Sequence, residues 1–254
     1  KVAIVGGGIG GMECALVLKK RGHTPVIYEK SGKLGGMYNY ASAMSFKEAD
    51  KKLLEWYDRE LKKAGIEVHL NTEIDPINPL TRQYDEVITG AVPKKLPVPG
   101  FNKTITFEEL LTGDKDHGDK VVFFGGGQSA CEAAYELVLQ GKHPIIVEYA
   151  NDLIATPGTC LANASFLREM LVFKKVPIYL EHSICEIGDG YVMVKPRSGG
   201  DAFKVECDSV VNGLGFRPAP VAPAGKHVRQ VGTAAKWGNL RNVIWGAWDV
   251  CMKI

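Results

Sequence analysis

The sequence has 254 residues, with 31 basic and 29 acidic side chains, so its formal net charge is only +2. This balance argues against a nucleic-acid or other polyanionic partner. Apolar residues make up 45% and prolines number only 13, which excludes a disordered or collagen-like chain. Glycine is enriched, at 29 residues, and the excess is clustered near residues 6–11, 35–36 and 125–127. The composition predicts a globular protein with several backbone segments that carry no side chain.

The six cysteines lie far apart and none forms a C-x-x-C pair, which argues against a zinc ribbon or a redox-active dithiol. Scattered thiols suit a reducing compartment, so we expect a cytoplasmic protein. No stretch of about 18 uncharged apolar residues is present, so neither a transmembrane helix nor a membrane partner is expected. No metal site is predicted. The apolar run directly after Lys1, without an initiating Met, indicates a trimmed N-terminus or a piece of a longer chain.

The first predicted elements are a strand, a glycine-rich turn, a helix and a second strand. Residues 2–5 form a short apolar run, and Gly6-x-Gly8-x-x-Gly11 follows at once. The helix that comes next ends near Gly22, and the strand at residues 26–28 ends in Glu29. This order is the context that a dinucleotide-binding turn requires.

A second copy of this layout begins at residue 121. A strand leads into Gly125-x-Gly127-x-x-Ala130, a helix ends near Gly141, and another strand ends in Glu148. The interval from the first glycine to the capping glycine is equal in the two copies, and so is the interval from the first glycine to the acid. Two copies in register, each with its acid, are a far more specific signal than one glycine-rich turn.

The residue types fit the binding of two dinucleotides. The first glycine permits a tight turn, the second lets a pyrophosphate approach the backbone, and the third glycine or a small Ala lets helix and strand pack closely. The helix N-terminus attracts phosphates, and the acid accepts hydrogen bonds from an adenosine ribose. Glu148 is followed by Tyr149-Ala150 and no arginine, which favours NADH over NADPH, although Lys142 and His143 lie nearby. The alternative is that both turns are structural and bind nothing.

Further motifs resemble a known family. Glu29-Lys30-x4-Gly35-Gly36 and residues 84–93 resemble the FAD domain of flavin–pyridine-nucleotide oxidoreductases, and residues 208–218 are similar to the return strand of that group. The tail at residues 238–245 resembles the closing stretch of the 2-enoate reductase, dienoyl-CoA reductase and trimethylamine dehydrogenase family. The resemblance is to the C-terminal FAD/NAD(P)H-binding region of these multidomain enzymes, and it spans the whole chain.

This resemblance implies an α/β fold of two Rossmann-like dinucleotide-binding domains, the second inserted in the first. The FAD-binding domain would comprise residues 1–112 and 206–254, with an amphipathic helix at 46–64. The NAD(P)H-binding domain would comprise residues 113–205, where three short apolar runs after residue 184 predict an antiparallel meander. The implied activity is hydride transfer from NADH to FAD and on to a partner centre. That partner would be an upstream barrel with FMN and an iron–sulfur cluster, or another electron acceptor.

Candidate binding residues are carried over by position, and no catalytic acid or base is assigned because hydride passes directly between the two cofactors. The FAD candidates are Gly6, Gly8, Gly11, Glu29, Lys30, Gly36, Thr89, Gly90, Gly232 and Thr233. The nicotinamide-nucleotide candidates are Gly125, Gly127, Ala130 and Glu148, with Gly213 and Gly215 on the return strand. Simpler roles stay open, namely a solvated charge for Lys30, a plain turn for Gly36, and a chain reversal for Gly213 and Gly215.

Three departures from the family pattern argue against a simple flavoprotein. Ile88 runs directly into Thr89 where the family has Val-Ile-x-Ala-Thr-Gly, and residues 218–232 form a short stretch. The acid of a late Gly-Asp pair, which holds the flavin ribityl chain, is replaced by Thr233, and losing such a bond costs about 1.5–3 kcal/mol of affinity. A structural module that binds ADP is therefore the second hypothesis. A thioredoxin-reductase-like enzyme is the third, disfavoured by the missing C-x-x-C.

Overall fold

The computed structural model describes residues 1–74, 85–88, 91–113, 115–220, 222–236 and 238–254. In chain order its strands are β1 Val2–Val5, β2 Pro25–Tyr28, β3 Glu67–His69, β4 Asp85–Ile88, β5 Ala91–Pro93, β6 Lys120–Phe124, β7 His143–Val147, β8 Ile178–Tyr179, β9 His182–Ile187, β10 Tyr191–Pro196, β11 Phe203–Glu206, β12 Ser209–Asn212, β13 Phe216–Pro218 and β14 Val228–Gln230. Its α-helices are α1 Ile9–Lys20, α2 Tyr38–Ala41, α3 Glu48–Lys63, α4 Phe107–Thr112, α5 Gln128–Leu139, α6 Leu161–Phe173 and α7 Leu240–Cys251. Short 3₁₀ turns span Phe101–Lys103 and Gly232–Ala234.

Backbone contacts divide the chain into two units. The first unit comprises Lys1–Ser42, Lys47–Val92 and Phe216–Ile254, and the second comprises Ala43–Phe46 and Pro93–Gly215. The chain thus leaves the first unit, builds the second, and returns, so the predicted α/β fold with one Rossmann-like unit inserted in the other is confirmed.

The first unit contains a five-stranded sheet in the order β14-β4-β1-β2-β3, and all its neighbouring strands are parallel. β1 is central and buried along its whole length, as expected for an apolar strand covered on both faces. The sheet extends from β1 to β2 and β3 on one side, and to β4 and β14 on the other. The point where the strand order reverses, the switch point, therefore lies between β1 and β4. In open parallel sheets ligands bind at such a switch point, outside the carboxyl ends of the strands.

The second unit repeats this arrangement with a four-stranded parallel sheet in the order β12-β6-β7-β8. β6 takes the central place, and the change of side falls between β6 and β12. The predicted meander is present as the antiparallel sheet β11-β10-β9. Its inward residues alternate along β10, where Val192 and Val194 are fully buried.

The boundaries between the units differ from the expected ones. Residues 93–112 and 206–215 are expected in the first domain, whereas the contacts place both stretches in the second unit. The reason is strand pairing, because β12 pairs with β6 in parallel and Ile105 forms a β-bridge to Val211 of β12. The resemblance of residues 208–218 to a return strand located the strand but not the sheet to which it belongs.

A buried carboxylate joins three helices of the first unit. Glu13 lies on α1, only 9% exposed, and accepts hydrogen bonds from Tyr57 Oη at 2.7 Å and from Trp248 Nε1 at 2.7 Å. Tyr57 belongs to α3 and Trp248 to α7. Burial, followed by the hydrogen bond to Glu13, raises the pKa of Tyr57 well above its usual value, so the phenol stays a donor. The predicted helix at 46–64 is thereby fixed to α1 through a polar contact as well as through its apolar face.

Replacing Tyr57 by Phe is expected to lower the free energy of unfolding by about 1–3 kcal/mol, because it leaves a buried carboxylate with one donor fewer. Urea unfolding followed by circular dichroism measures the loss. The control is Lys62→Ala on the same helix, which removes only the exposed ion pair with Asp58 and should cost less than about 0.5 kcal/mol. Equal effects of the two changes would show that the Glu13 contact contributes no more than a surface pair.

Candidate functional site

The predicted residues of the first unit meet at the carboxyl edge of its sheet. In the strand register, Val5 at the end of β1 lies beside Tyr28 of β2 on one side and Ile88 of β4 on the other. Gly6 and Glu29, the residues that follow, therefore leave adjacent strands at the same height. Thr89 and Gly90 come directly after β4 and lie outside the described residues.

The second unit has the same register. Phe124 at the end of β6 lies beside Val147 of β7 and Asn212 of β12. Gly125, Glu148 and Gly213 are the residues that follow these three strands. The repeat found in the sequence thus extends to a third strand, because Asn212 in this unit occupies the register position of Ile88 in the first.

The first glycine of each turn adopts a backbone conformation that other residues avoid. Gly6 has φ = +107° and Gly125 has φ = +109°, and both lie in the region where an L side chain is strained. The N–H of Gly6 donates to the carbonyl of Tyr28 at 2.8 Å, and the N–H of Gly125 donates to the carbonyl of Val147, also at 2.8 Å. The turns are therefore near-identical in geometry as well as in spacing.

The acid of each copy binds the glycine turn. Glu29 Oε2 accepts the N–H of Gly7 at 2.6 Å, and Glu148 Oε2 accepts the N–H of Gly126 at 2.5 Å. Gly7 and Gly126 are called the middle glycines below. Charge-assisted bonds of this kind are short and about twice as strong as neutral ones. Each carboxylate thus fixes the turn of its own unit, in addition to any contact it makes with a ribose.

The second oxygen of each carboxylate caps the residues that follow it. Glu29 Oε1 accepts the N–H of Ser31 at 2.8 Å and its hydroxyl at 2.7 Å. Glu148 Oε1 accepts the N–H of Ala150 at 2.7 Å. A carboxylate has roughly four lone-pair positions. Among the described residues Glu29 therefore keeps about one free position and Glu148 about two, which is the number that the two hydroxyls of a ribose require.

A leucine five residues beyond each acid packs against the middle glycine, a contact that no sequence motif predicts. A side-chain carbon built on either middle glycine would overlap the Cδ2 of Leu34 or of Leu153, respectively. The next residue donates to the carbonyl of the middle glycine, from Gly35 at 2.8 Å and from Ile154 at 2.9 Å. The equal interval from acid to leucine in the two copies is the signal that could have identified this contact.

Both helices that follow the turns begin without a side-chain cap. α1 starts after Gly8 and α5 after Gly127, and neither helix has an acidic residue in its first turn. Uncapped N–H groups and the positive end of the helix dipole favour a phosphate at this place. The third position allows the helix to approach the strand, since a methyl group at Gly11 would overlap the carbonyl oxygen of Gly6. Ala130 is buried at the matching position.

Each glycine turn and the start of the helix after it, at Gly8 in the first unit and Gly127 in the second, form what is called a cradle below, and the middle of each cradle is open. A methyl group on Gly127 would have no neighbour within 4 Å, and one on Gly8 would meet only the Cα of Gly36, at 4.0 Å. Gly36 itself approaches closely, because a methyl group there would lie 3.1 Å from the Cα of Gly8. The residues present therefore fit a pyrophosphate over Gly8 and another over Gly127, with Gly36 beside the first.

The remaining predicted residues are less closely tied to the cradles. Lys30 is exposed, Thr233 is half-buried in the 3₁₀ turn, and Gly232 begins that turn in contact with Val243. Gly213 packs against the second turn, where a methyl group would lie 2.8 Å from the carbonyl oxygen of Gly125. The carbonyl of Gly215 accepts the N–H of Lys94 at 2.9 Å.

The thiol of Cys131, next to the second glycine turn, is unreactive. Cys131 is fully buried in α5, and its Sγ donates to the carbonyl of Gly126 at 3.4 Å. Burial raises its pKa to about 12, so the thiol remains protonated at neutral pH. Among the described residues no group of three or more His, Cys, Asp or Glu side chains is placed to hold a metal ion. Within the same part of the chain, no helix is long and apolar enough to cross a membrane.

Two parallel-sheet units, each with a glycine turn, an uncapped helix and an acid at its switch point, define the dinucleotide-binding class of α/β proteins. The profile of the pyridine nucleotide-disulphide oxidoreductase family matches residues 1–240. The chain belongs to this family, whose members are FAD-dependent NAD(P)H oxidoreductases. The predictions of an oxidoreductase, and of FAD and a nicotinamide nucleotide as cofactors, are confirmed at this level.

Individual relatives support the narrower resemblance. Cinnamate reductase of Clostridium sporogenes is 35% identical over all of this chain, which spans 39% of that protein. NADH oxidase of Thermoanaerobacter brockii is 37% identical over 60% of this chain and 25% of its own length. A solved 2-naphthoyl-CoA reductase superposes on the whole chain with a TM-score of 0.88 at 27% identity, and the chain spans 40% of that structure. The resemblance to enoate-reductase-like enzymes is confirmed, and the chain corresponds to about two fifths of two of these relatives.

Gly11→Ala is expected to lower the free energy of unfolding by about 1–3 kcal/mol, because the added methyl group overlaps a backbone oxygen that cannot move aside alone. The matched control is Gly246→Ala in α7 of the same unit, where a methyl group meets nothing within 4 Å. There the higher helix propensity of alanine should stabilise the protein by up to about 1 kcal/mol. Urea unfolding of both variants tests this difference, and a neutral Gly11→Ala change would contradict the close packing.

Proposed function

We propose that this chain is the part of an enoate-reductase-like enzyme that moves a hydride from NADH to FAD and passes the electrons to a partner centre. The observation that carries the proposal is the carboxylate-bound glycine turn, which the chain builds twice with matching bonds in its two units. A protein that needed one nucleotide for structural reasons alone would have no use for the second copy.

The first unit is proposed to hold FAD. The N–H groups at the start of α1 would bind its pyrophosphate over Gly8, and the free lone pair of Glu29 would accept a hydroxyl of its ribose. Gly36 would border the phosphates because it already lies against Gly8. The complete proposed set is Gly6, Gly8, Gly11, Glu29, Lys30, Gly36, Thr89, Gly90, Gly232 and Thr233.

The second unit is proposed to hold the nicotinamide nucleotide. The start of α5 would bind the pyrophosphate over Gly127, where the space is open. Glu148, with about two free lone pairs, would accept both hydroxyls of the adenosine ribose. The complete proposed set is Gly125, Gly127, Ala130, Glu148, Gly213 and Gly215. The extents of the two nucleotide domains would follow the units set by the contacts.

Catalysis would depend on position. When both are bound, the nicotinamide nucleotide supplies a hydride and FAD accepts it. The residues of this chain bind and orient through backbone N–H groups and two carboxylates, and we assign no side chain to proton transfer. Orientation of this kind can replace a large part of an activation barrier. The protonated, buried Cys131 agrees with a route that uses no thiol.

The partner centre is proposed to lie in the rest of a larger enzyme. Cinnamate reductase and 2-naphthoyl-CoA reductase, named for the reduction of unsaturated acids and thioesters, each extend well beyond the region that this chain matches. An upstream barrel with FMN and an iron–sulfur cluster would take the electrons to such a substrate. The six free cysteines are compatible with a reducing compartment, and we propose the cytoplasm.

A second candidate is a nucleotide-binding module that holds ADP in the first unit and carries no flavin. Thr233 favours it, because a neutral hydroxyl stands where the family has the carboxylate that holds the ribityl chain. The glycine turn and Glu29 would serve ADP equally well, since both act on the pyrophosphate and the ribose. The two candidates therefore differ in the bound nucleotide and in colour.

The proposed function predicts a yellow protein that holds one FAD per chain and loses its flavin absorbance when NADH is added without oxygen. Nucleotide released by acid and identified by its mass should be FAD. The control is the same addition of oxidised NAD⁺, which cannot donate a hydride and should leave the spectrum unchanged. A colourless chain that releases ADP and cannot be reconstituted with FAD would instead establish the structural module.

A further inference from the structure

An aromatic ring and a guanidinium are stacked directly beyond the acid of the second unit. The guanidinium carbon of Arg197 lies 4.8 Å from the centre of the Tyr149 ring. Tyr149 is the residue after Glu148, and its side chain is 59% exposed. An exposed tyrosine with a cation on its face is therefore held at the turn where the adenosine ribose is proposed to bind.

Arg197 reaches this turn through backbone hydrogen bonds. The N–H of Glu181 donates to the carbonyl of Ala150 at 2.9 Å, and the N–H of Arg197 donates to the carbonyl of Glu181 at 2.7 Å. Glu181 has φ = +56°, a conformation that most residues avoid, so the chain accepts local strain at this link. The position of Arg197 is thus set by the fold of the meander and not by a flexible side chain alone.

The charge of Arg197 has no acidic partner in the described part of the chain. The nearby Arg168, by contrast, pairs with Asp152 at 2.9 Å and donates to the carbonyl of Leu153. A stacked guanidinium keeps its N–H groups free at the edge of the plane, because stacking uses only the face. Arg197 therefore presents its donors at Tyr149, the residue after Glu148. The charge of Glu148 is itself partly satisfied by the N–H groups of Gly126 and Ala150.

We propose that Arg197, held on Tyr149, binds the 2′-phosphate of NADPH, so that the second unit accepts NADPH as well as NADH. In dinucleotide-binding units the acid at the end of the second strand contacts the 2′ position of the adenosine ribose, and a nearby arginine accommodates a 2′-phosphate. Guanidinium groups bind phosphates through two parallel hydrogen bonds. The sequence favoured NADH because no arginine follows Glu148. In the fold, Arg197 in the loop between β10 and β11 lies over the residue after Glu148.

This inference rests on the proposed nicotinamide-nucleotide site, and binding of NAD⁺ and NADP⁺ tests it without any flavin chemistry. Both nucleotides are titrated calorimetrically into the full chain, which is used with its FAD if the purified protein retains it. The wild-type chain should bind both. Arg197→Ala should weaken NADP⁺ binding about ten-fold or more and NAD⁺ binding less than about three-fold, since only the phosphate loses a charge-assisted bond. Arg197→Lys should recover part of the NADP⁺ affinity.

The matched control is Lys204→Ala. Lys204 is also a cation, 4.8 Å from the ring centre of a tyrosine of the same unit, the half-buried Tyr191 of β10, and no contact among the described residues links it to the turn after Glu148. It should leave both affinities unchanged. Two results would overturn this inference and leave the proposed function intact. They are equal effects of Arg197→Ala on the two affinities, and no NADP⁺ binding by a wild-type chain that binds NAD⁺. Failure of the wild-type chain to bind either nucleotide would overturn the proposed function with it.

Discussion

The hydrogen bond between a glutamate carboxylate and the N–H of a middle glycine determines the geometry of both cradles. It measures 2.6 Å from Glu29 to Gly7 and 2.5 Å from Glu148 to Gly126. A glycine-rich turn has more conformational freedom to lose on folding than any other segment, and such a bond contributes about 1.5–3 kcal/mol toward ordering it. Because this bond is made within the chain, it sets the position of the helix N-termini that we propose bind phosphate.

Small differences around this shared bond separate the two cradles. Ser31 donates twice to Glu29, whereas its counterpart Ala150 donates once to Glu148, so the second acid retains more capacity for a ribose. In the second unit Arg197 also lies over Tyr149, the residue after the acid, and it follows a strand of a meander that the first unit does not contain among its described residues. One duplicated design can therefore serve two different nucleotides, because the changes affect residues around the turn and leave the turn itself intact.

The sequence was sufficient for features that depend on local spacing. The two glycine turns, their helices and their acids were predicted because each set lies inside one contiguous βαβ unit of about thirty residues. It was insufficient where distant segments meet. β12 was expected in the first domain, and only pairing with β6 shows that it belongs to the second unit. Arg197 carries no motif, and its neighbour Tyr149 is distant in sequence, so only the folded meander brings them together.

Paired substitutions in the two cradles test whether they hold two different nucleotides. Gly8→Ala and Gly127→Ala each place a methyl group in an open cradle, without a close contact in the protein. The measurement is the FAD content and the NAD⁺ dissociation constant of both variants. Gly8→Ala should lower FAD content and leave NAD⁺ affinity unchanged, and Gly127→Ala should do the reverse. Loss of both nucleotides in either variant, or of neither in both, would show that the two cradles do not bind separate nucleotides.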